Sequence, residues 1–166
     1  MHRDLRFFIF LVSNGVLIGL NGVVNSGLSG LAVYLYWGGA LVVYSGLYLN
    51  VFQGLLCMAL TGYFFDALLP VTSGQSLVLF AVGYGLLAAF RNVFQKCNFF
   101  QAACLAVVLN ALLGIAQIFL LGQPHWHACG YWTRTVGDLI FSTLTIFPVA
   151  LWFFELQSWF LKKASQ

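Results

Sequence analysis

The sequence predicts an all-α bundle of about six transmembrane helices, and its composition, its apolar stretches and the placement of its charges all indicate this fold. Of the 166 residues, 61% are hydrophobic and only 7% are charged, and the mean hydropathy is +0.93. A soluble domain carries roughly 25% charged residues. Four acids and seven bases are too few to cover a water-facing surface, so we expect a single transmembrane domain, 1–166, surrounded by a lipid bilayer.

Six apolar stretches are long enough to be spans. The hydrocarbon core is ~30 Å thick and a helix rises ~1.5 Å per residue, so a spanning helix needs roughly 20 apolar residues. The predicted spans are 7–24, 28–47, 52–69, 76–94, 99–121 and 136–161. Only Asn50 and Gln53 mark a turn between the second and third spans. We predict a tight hairpin there, because one continuous helix would be far too long for a single crossing.

The placement of lysine and arginine predicts the orientation. With the N-terminus inside, the inner segments hold six of the seven lysine and arginine residues: Arg3, Arg6, Arg91, Lys96, Lys162 and Lys163. The outer segments hold Arg134 alone. Basic residues concentrate in cytoplasmic loops. We therefore expect a multi-pass protein with both termini in the cytoplasm, and an even number of spans.

The residue pattern predicts no enzyme, no bound cofactor and no nucleic-acid partner. A net charge of +3 is too small and too scattered for nucleic acid, and neither a nucleophile–base pair nor a glycine-rich phosphate loop is evident. His125, His127 and Cys129 alternate along the longest outer loop and are metal-ligand types. Three donors without a fourth are a weak metal signal, and solvated or interfacial loop residues are the simpler interpretation.

Two acids interrupt apolar spans. Asp66 lies near the outer end of the third span and has two interpretations. It is either a functional acid (a proton or ion relay, or a substrate contact) or a structural acid. As a structural acid it would bond the backbone of the following turn or pair with Arg134, and we favour this interpretation because no second acid lies nearby. Glu155 either faces the bundle and pairs with Arg91 or Lys96, or lies at the headgroup level, which we favour.

Amides and small residues mark particular helix faces. Asn14 and Asn21 on the first span, and Asn110 and Gln117 on the fifth, are each seven residues apart and so share a face. We expect these faces to turn inward and hydrogen-bond a neighbouring helix. Gly15 and Gly19 form a GxxxG pattern, which allows the close approach of a helix from this chain or from a partner.

The sixth span carries several polar groups with ordinary explanations. We expect Asp138 to open this helix, where the positive end of the dipole favours it, and to pair with Arg134 one turn away. The hydroxyls of the span can bond backbone carbonyls one turn back, and they belong to Ser142, Thr143 and Thr145. Pro148 is expected to kink the helix.

The third span and the turn after it resemble the MreD family, the small membrane subunit of the bacterial cell-elongation machinery. That family shows a glycine, an aspartate four residues later, a small polar turn, and another glycine eight residues past the aspartate. Gly62, Asp66 and Gly74 stand at those positions. The length, the following span with Arg91 and the basic tail also fit, so the resemblance loosely covers the chain from about Tyr36 onward.

The resemblance implies a non-enzymatic scaffold subunit of the bacterial cytoplasmic (inner) membrane, acting in cell shape and peptidoglycan synthesis. A glycine-rich face and the Asp66 turn would hold a partner helix. The implied partners are a bitopic MreC-like protein and an assembly with MreB, RodA and a penicillin-binding protein. The family is also similar in fold to the substrate-binding S components of energy-coupling-factor transporters, which supply the alternative function, vitamin or ion binding. That alternative needs an outward cavity lined by the amides and by Trp126 and Trp132.

Overall fold

The structure is an all-helical bundle, as the sequence predicts. The computed structural model describes residues 2–68, 74–94, 98–122 and 130–163, and this part of the chain contains no strand. Its helices are α1 (His2–Leu28), α2 (Gly38–Tyr48), α3 (Val51–Leu68), α4 (Gln75–Ala89), α5 (Arg91–Phe94), α6 (Phe99–Gly122) and α7 (Tyr131–Lys163). A 3-10 turn, Ser29–Leu31, follows α1.

Three of the described helices are long and apolar enough to cross a membrane. They are α1, α6 and α7, and α7 continues through Pro148. The shorter apolar helices α2, α3 and α4 have 11, 18 and 15 residues. The membrane character expected from composition is therefore supported by the long helices, whereas the prediction of six helices of roughly 20 residues each is not confirmed.

The second predicted span, 28–47, is not one helix. α1 continues to Leu28, Ala32 then takes a left-handed conformation with φ 54°, and residues 33–37 are non-helical before α2 begins. We call residues 33–37 the lead-in segment. The prediction was wrong because apolar composition alone does not reveal which backbone groups find partners on other helices. The tight hairpin near Asn50 is confirmed, since α2 ends and α3 begins on either side of it.

α2 is the centre of the bundle. Ten of its 11 residues are buried, and α1, α3, α4, α6 and α7 all pack around it. A helix that is apolar on all faces is expected to be enclosed in this way. The backbone of α6 lies directly against its first turn, because a Cβ atom built on Gly39 would collide with the carbonyl oxygen of Ala106.

Aromatic contacts define the two ends of the bundle. The ring of Tyr44, in the C-terminal half of α2, contacts Phe10 of α1 at 5.9 Å and Phe154 of α7 at 5.0 Å between centroids. The start of α1 and the end of α7 therefore lie where α2 meets α3, and we call this the basic end. At the opposite end, the Asp66 end, Tyr36 of the lead-in segment contacts Phe65 of α3 at 5.6 Å.

Candidate functional site

The lead-in segment is held by asparagine side chains of α1. The backbone N–H of Leu35 donates to Asn25 Oδ1 at 2.7 Å, and its carbonyl accepts from Asn21 Nδ2 at 3.3 Å and from Asn25 Nδ2 at 2.8 Å. Asn21 lies on the inward face that its spacing predicts. Asn25 was not singled out by the sequence, although its position one turn after Asn21, on the same face, was the available signal.

α7 holds the other side of the lead-in segment. The backbone N–H of Tyr34 donates to Asp138 Oδ1 at 3.0 Å, and that of Tyr36 donates to Ser142 Oγ at 2.9 Å. The Ser142 hydroxyl in turn donates to the Tyr34 carbonyl at 3.4 Å. Two short side chains thus replace the hydrogen bonds that a continuous helix would make for itself.

Further amides fix α2 itself. Asn110 of α6 is fully buried, and its Oδ1 accepts the backbone N–H of Gly39 at 3.0 Å in the first turn of α2. Asn14 of α1 donates through Nδ2 to the carbonyl of Leu41 at 3.4 Å and to Thr61 Oγ1 at 3.2 Å. The inward orientation predicted for Asn14, Asn21 and Asn110 is confirmed, whereas Gln117 is only half-buried.

These side chains form a polar belt around the start of α2. The polar belt consists of Asn21, Asn25, Asn110, Asp138 and Ser142. Backbone groups that are buried away from water need protein partners, and the belt supplies them. Three polar atoms of this region are buried without a hydrogen-bond partner in the described part of the chain: the hydroxyls of Tyr34 and Tyr36, and Asn110 Nδ2.

Two predictions about the sixth span are wrong. α7 begins at Tyr131, so Asp138 lies within the helix instead of opening it, and its carboxylate accepts a backbone N–H of the lead-in segment. Ser142 likewise bonds the lead-in segment and not a carbonyl one turn back. Thr143 and Thr145 do donate to carbonyls one turn back, at 2.6 and 2.9 Å. Interactions within α7 do not explain Asp138 and Ser142, because the lead-in segment uses both side chains as acceptors.

Asp66 caps the helix that follows it. Its side chain is 3% exposed, and it accepts the backbone N–H of Gly74 at 2.7 Å and that of Ser76 at 3.1 and 3.2 Å. A carboxylate is unfavourable at the C-terminal end of its own helix, α3, but favourable at the N-terminal end of α4. The interactions are those of the structural acid that we favoured, within the described residues.

Gly62 brings the same two helices together. A Cβ atom there would lie 2.5 Å from the Cα of Leu77 and 2.8 Å from the carbonyl oxygen of Ser76. Gly74, whose φ of 107° suits glycine, is the N-cap residue immediately before α4. The three residues that carry the family resemblance therefore act together in the α3–α4 hairpin of this chain. Residues 69–73, including Pro70, lie outside the described residues.

Arg91 closes the opposite end of α2. Its guanidinium donates to the carbonyl of Leu49 at 2.9 Å, and the Tyr84 hydroxyl donates to the carbonyls of Leu49 and Asn50 at 3.4 and 3.1 Å. A cation at a helix C-terminus is favourable. Glu155 is exposed on α7, so the alternative in which it faces the bundle and pairs with Arg91 is wrong.

Gly15 and Gly19 lie on the outside of α1. Both are exposed, and a Cβ atom on either would meet nothing within 4 Å. Their neighbours Val12 and Val16 are 65% and 52% exposed. This face of α1 is therefore apolar, has a flat stretch of two glycines one turn apart, and packs against no described helix of this chain.

No metal site emerges in the described residues, where no three His, Cys, Asp or Glu side chains come together. His125, His127 and Cys129 lie outside the described residues, as do Lys96 and Trp126. The prediction about that loop stays a prediction. Comparison with protein-family models, with curated proteins and with solved structures finds no match for this chain. Its function is therefore inferred from its own residues.

Proposed function

We propose that this protein is a non-enzymatic scaffold subunit of the bacterial cell-elongation complex, of the MreD kind, which binds partner membrane proteins by helix packing. The observation that carries the proposal is that the polar side chains lie inside the bundle whereas the glycine pair lies on its surface. The polar belt and Asp66 are engaged with the chain's own backbone, while Gly15 and Gly19 lie open on the surface. Two glycines one turn apart allow a second helix to approach closely, which is how helices associate in lipid.

The chain crosses the inner membrane six times in this proposal, with both termini in the cytoplasm. The eleven helical residues of α2 rise ~1.5 Å each, and five non-helical residues add at most ~3.3 Å each, which together reach at most roughly 33 Å. The lead-in segment and α2 together form one crossing of the hydrocarbon core in this proposal. The described cations of the basic end are Arg6, Arg91, Lys162 and Lys163. Their clustering supports a cytoplasmic basic end.

The partner on α1 is, in this proposal, the single span of a bitopic MreC-like protein, in an assembly with MreB, RodA and a penicillin-binding protein. The resemblance at Gly62, Asp66 and Gly74 supports this choice of assembly. In the structure those residues join α3 to α4. The residues that carry the resemblance therefore stabilise the fold of the subunit, and the exposed glycines of α1 form the surface that binds the partner.

The test is an affinity pull-down in mild detergent from a rod-shaped bacterium that expresses the tagged chain. We expect the MreC-like protein and RodA to be recovered with the native chain, and recovery to fall at least about five-fold when Gly15 and Gly19 are both replaced by leucine. Gly85→Leu is the matched control, because Gly85 is also exposed, helical and free of contacts within 4 Å. All forms must reach equal membrane levels.

Two outcomes would contradict the proposal. Recovery of a transporter ATPase pair without any cell-wall protein rejects the scaffold function. Equal recovery of cell-wall partners with all variants rejects the α1 face as their binding surface. The neighbouring genes give an independent indication, since cell-shape genes and transporter genes distinguish the two functions.

A second candidate function is a substrate-binding S component of a vitamin or ion transporter. The unpartnered hydroxyls of Tyr34 and Tyr36 and the Asn110 amide favour it, because a small polar ligand would need such groups at the start of α2. Its test is thermal stability of the purified chain with a panel of vitamins and metal ions. A ligand-dependent rise that Tyr36→Phe removes would support it, and no rise with any ligand of the panel would count against it.

A further inference from the structure

Two tryptophans flank an acid on the outside of α7. Trp152, Glu155 and Trp159 follow one another at one-turn intervals and all three are exposed, the tryptophans by 51% and 53%. We call these three residues the α7 stripe. An acid on the exposed side of an apolar membrane helix is uncommon, and near the end of the helix its charge is stabilised either by the headgroup region or by a basic partner.

The carboxylate of Glu155 has no ion-pair partner in the part of the chain that the structure describes. Arg91 is engaged with the carbonyl of Leu49, and the ammonium of Lys163 lies over the ring of Trp159, 5.0 Å from its centroid. Within the described residues, the acid is therefore available to a group from outside this chain.

The depth of Glu155 in the proposed membrane follows from its distances to the basic end of the bundle. Its neighbour Phe154 stacks on Tyr44, which precedes Leu49 by five residues, or about 7.5 Å along α2. Lys163 follows Glu155 by eight residues, or about 12 Å along α7. The α7 stripe therefore lies just inside the basic end, at the level where a membrane helix passes from hydrocarbon to headgroups.

We propose that the α7 stripe is a docking surface for a partner transmembrane helix that carries a lysine or arginine near its cytoplasmic end. Membrane helices concentrate basic residues at that end, so a helix lying beside α7 brings a cation to the level of Glu155. The exposed indole face of Trp152 adds a cation–π contact. A symmetric contact between two copies would place one Glu155 against the other. Because the two negative charges would repel each other, the partner is a different protein and not a second copy of this chain.

This inference rests on the proposed topology but not on the cell-wall assembly, and its test uses a synthetic probe. The full chain, labelled with a fluorescence acceptor, is reconstituted in phosphatidylethanolamine–phosphatidylglycerol vesicles. Two donor-labelled single-span Leu/Ala peptides are compared, identical except for one Lys or one Gln a turn inside their basic flank. We expect the Lys peptide to associate about two- to five-fold more tightly with the native chain, within the range of an exposed charge pair.

Three variants decide the origin of that preference. Glu155→Gln is expected to abolish it, while Glu155→Asp and the charge-removing control Arg134→Gln, at the other end of α7, are expected to keep it. Equal association of the two peptides with the native chain overturns the proposal. A preference that survives Glu155→Gln also overturns it, because the acid is then not the source of the preference. A failed recovery of cell-wall proteins leaves this comparison unaffected.

Discussion

Replacing Asp66 by alanine removes the cap of α4 and tests whether this acid is structural. The buried carboxylate accepts two backbone donors, Gly74 and Ser76. Each hydrogen bond to a charged group contributes about 1.5–3 kcal/mol, and losing a helix cap costs about 0.5–2 kcal/mol. The Ser76 donor is buried and loses its partner outright. The Gly74 donor is half-buried and can find another. We therefore expect a loss of about 3 kcal/mol in unfolding free energy.

Two further variants provide a comparison for the loss of unfolding free energy expected for Asp66→Ala. Asp66→Asn keeps one acceptor oxygen and loses the charge, so about half of the loss, ~1.5 kcal/mol, is expected. Asp138→Ala removes a carboxylate that accepts a single half-buried donor, the backbone N–H of Tyr34. Its expected loss is about 1.5 kcal/mol, the lower end of the range for a charged acceptor, because its donor is only half-buried. The stabilities of Asp138→Ala and Asp66→Asn should therefore lie between those of the native chain and Asp66→Ala.

The measurement is unfolding of the purified chain by SDS in mixed micelles, followed by far-ultraviolet circular dichroism. Membrane levels in cells and recovery of partners should follow the same order. If Asp66→Ala unfolds at the same SDS fraction as Asp138→Ala, with equal membrane levels, the cap does not stabilise the hairpin as described. If Asp66→Ala unfolds like the native chain but loses a transported ligand, the acid is functional and not structural.

Three more predictions follow from the same contacts. Gly62→Ala should destabilise the chain by about 1–3 kcal/mol in SDS unfolding, because its Cβ meets the α4 backbone. Gly85→Ala should be neutral or stabilising. Arg91→Gln should cost about 1–2 kcal/mol in the same assay by weakening the cap on α2. In a cysteine-free background, Ser29→Cys should react with an impermeant maleimide only from outside and Asn50→Cys only from inside. Reaction from one common side would contradict the crossing by α2.

Element boundaries were predictable where a polar residue interrupts an apolar run. The α2–α3 turn at Asn50 and the start of α6 at Phe99 both agree with the sequence, because a turn exposes backbone groups that lipid cannot satisfy and so selects polar neighbours. The inward faces of Asn14 and Asn21 were predictable for a similar reason, since an amide in hydrocarbon must find a partner. Both predictions need only local information.

The lead-in segment was not predictable, because everything that holds it comes from elsewhere in the chain. The bond from Tyr36 to Ser142 joins residues 106 positions apart, and the bond from Tyr34 to Asp138 joins residues 104 apart. The segment itself reads as apolar and aromatic, which is equally typical of a spanning helix. Only the folded arrangement of α1 and α7 supplies hydrogen-bond partners for a non-helical path through the bundle.

The lead-in segment also explains why polar residues in this chain are poor indicators of a ligand. Each backbone group that is buried without a partner costs several kcal/mol, so a non-helical segment inside the bundle requires side-chain partners on every side. Asn25, Asp138 and Ser142 are such partners, and removing one should destabilise the bundle before it affects any binding. By the same reasoning, polar or small residues on the outer surface are not required by the fold. Gly15, Gly19 and Glu155 are exposed residues of this kind, and their presence there is what a membrane scaffold would need.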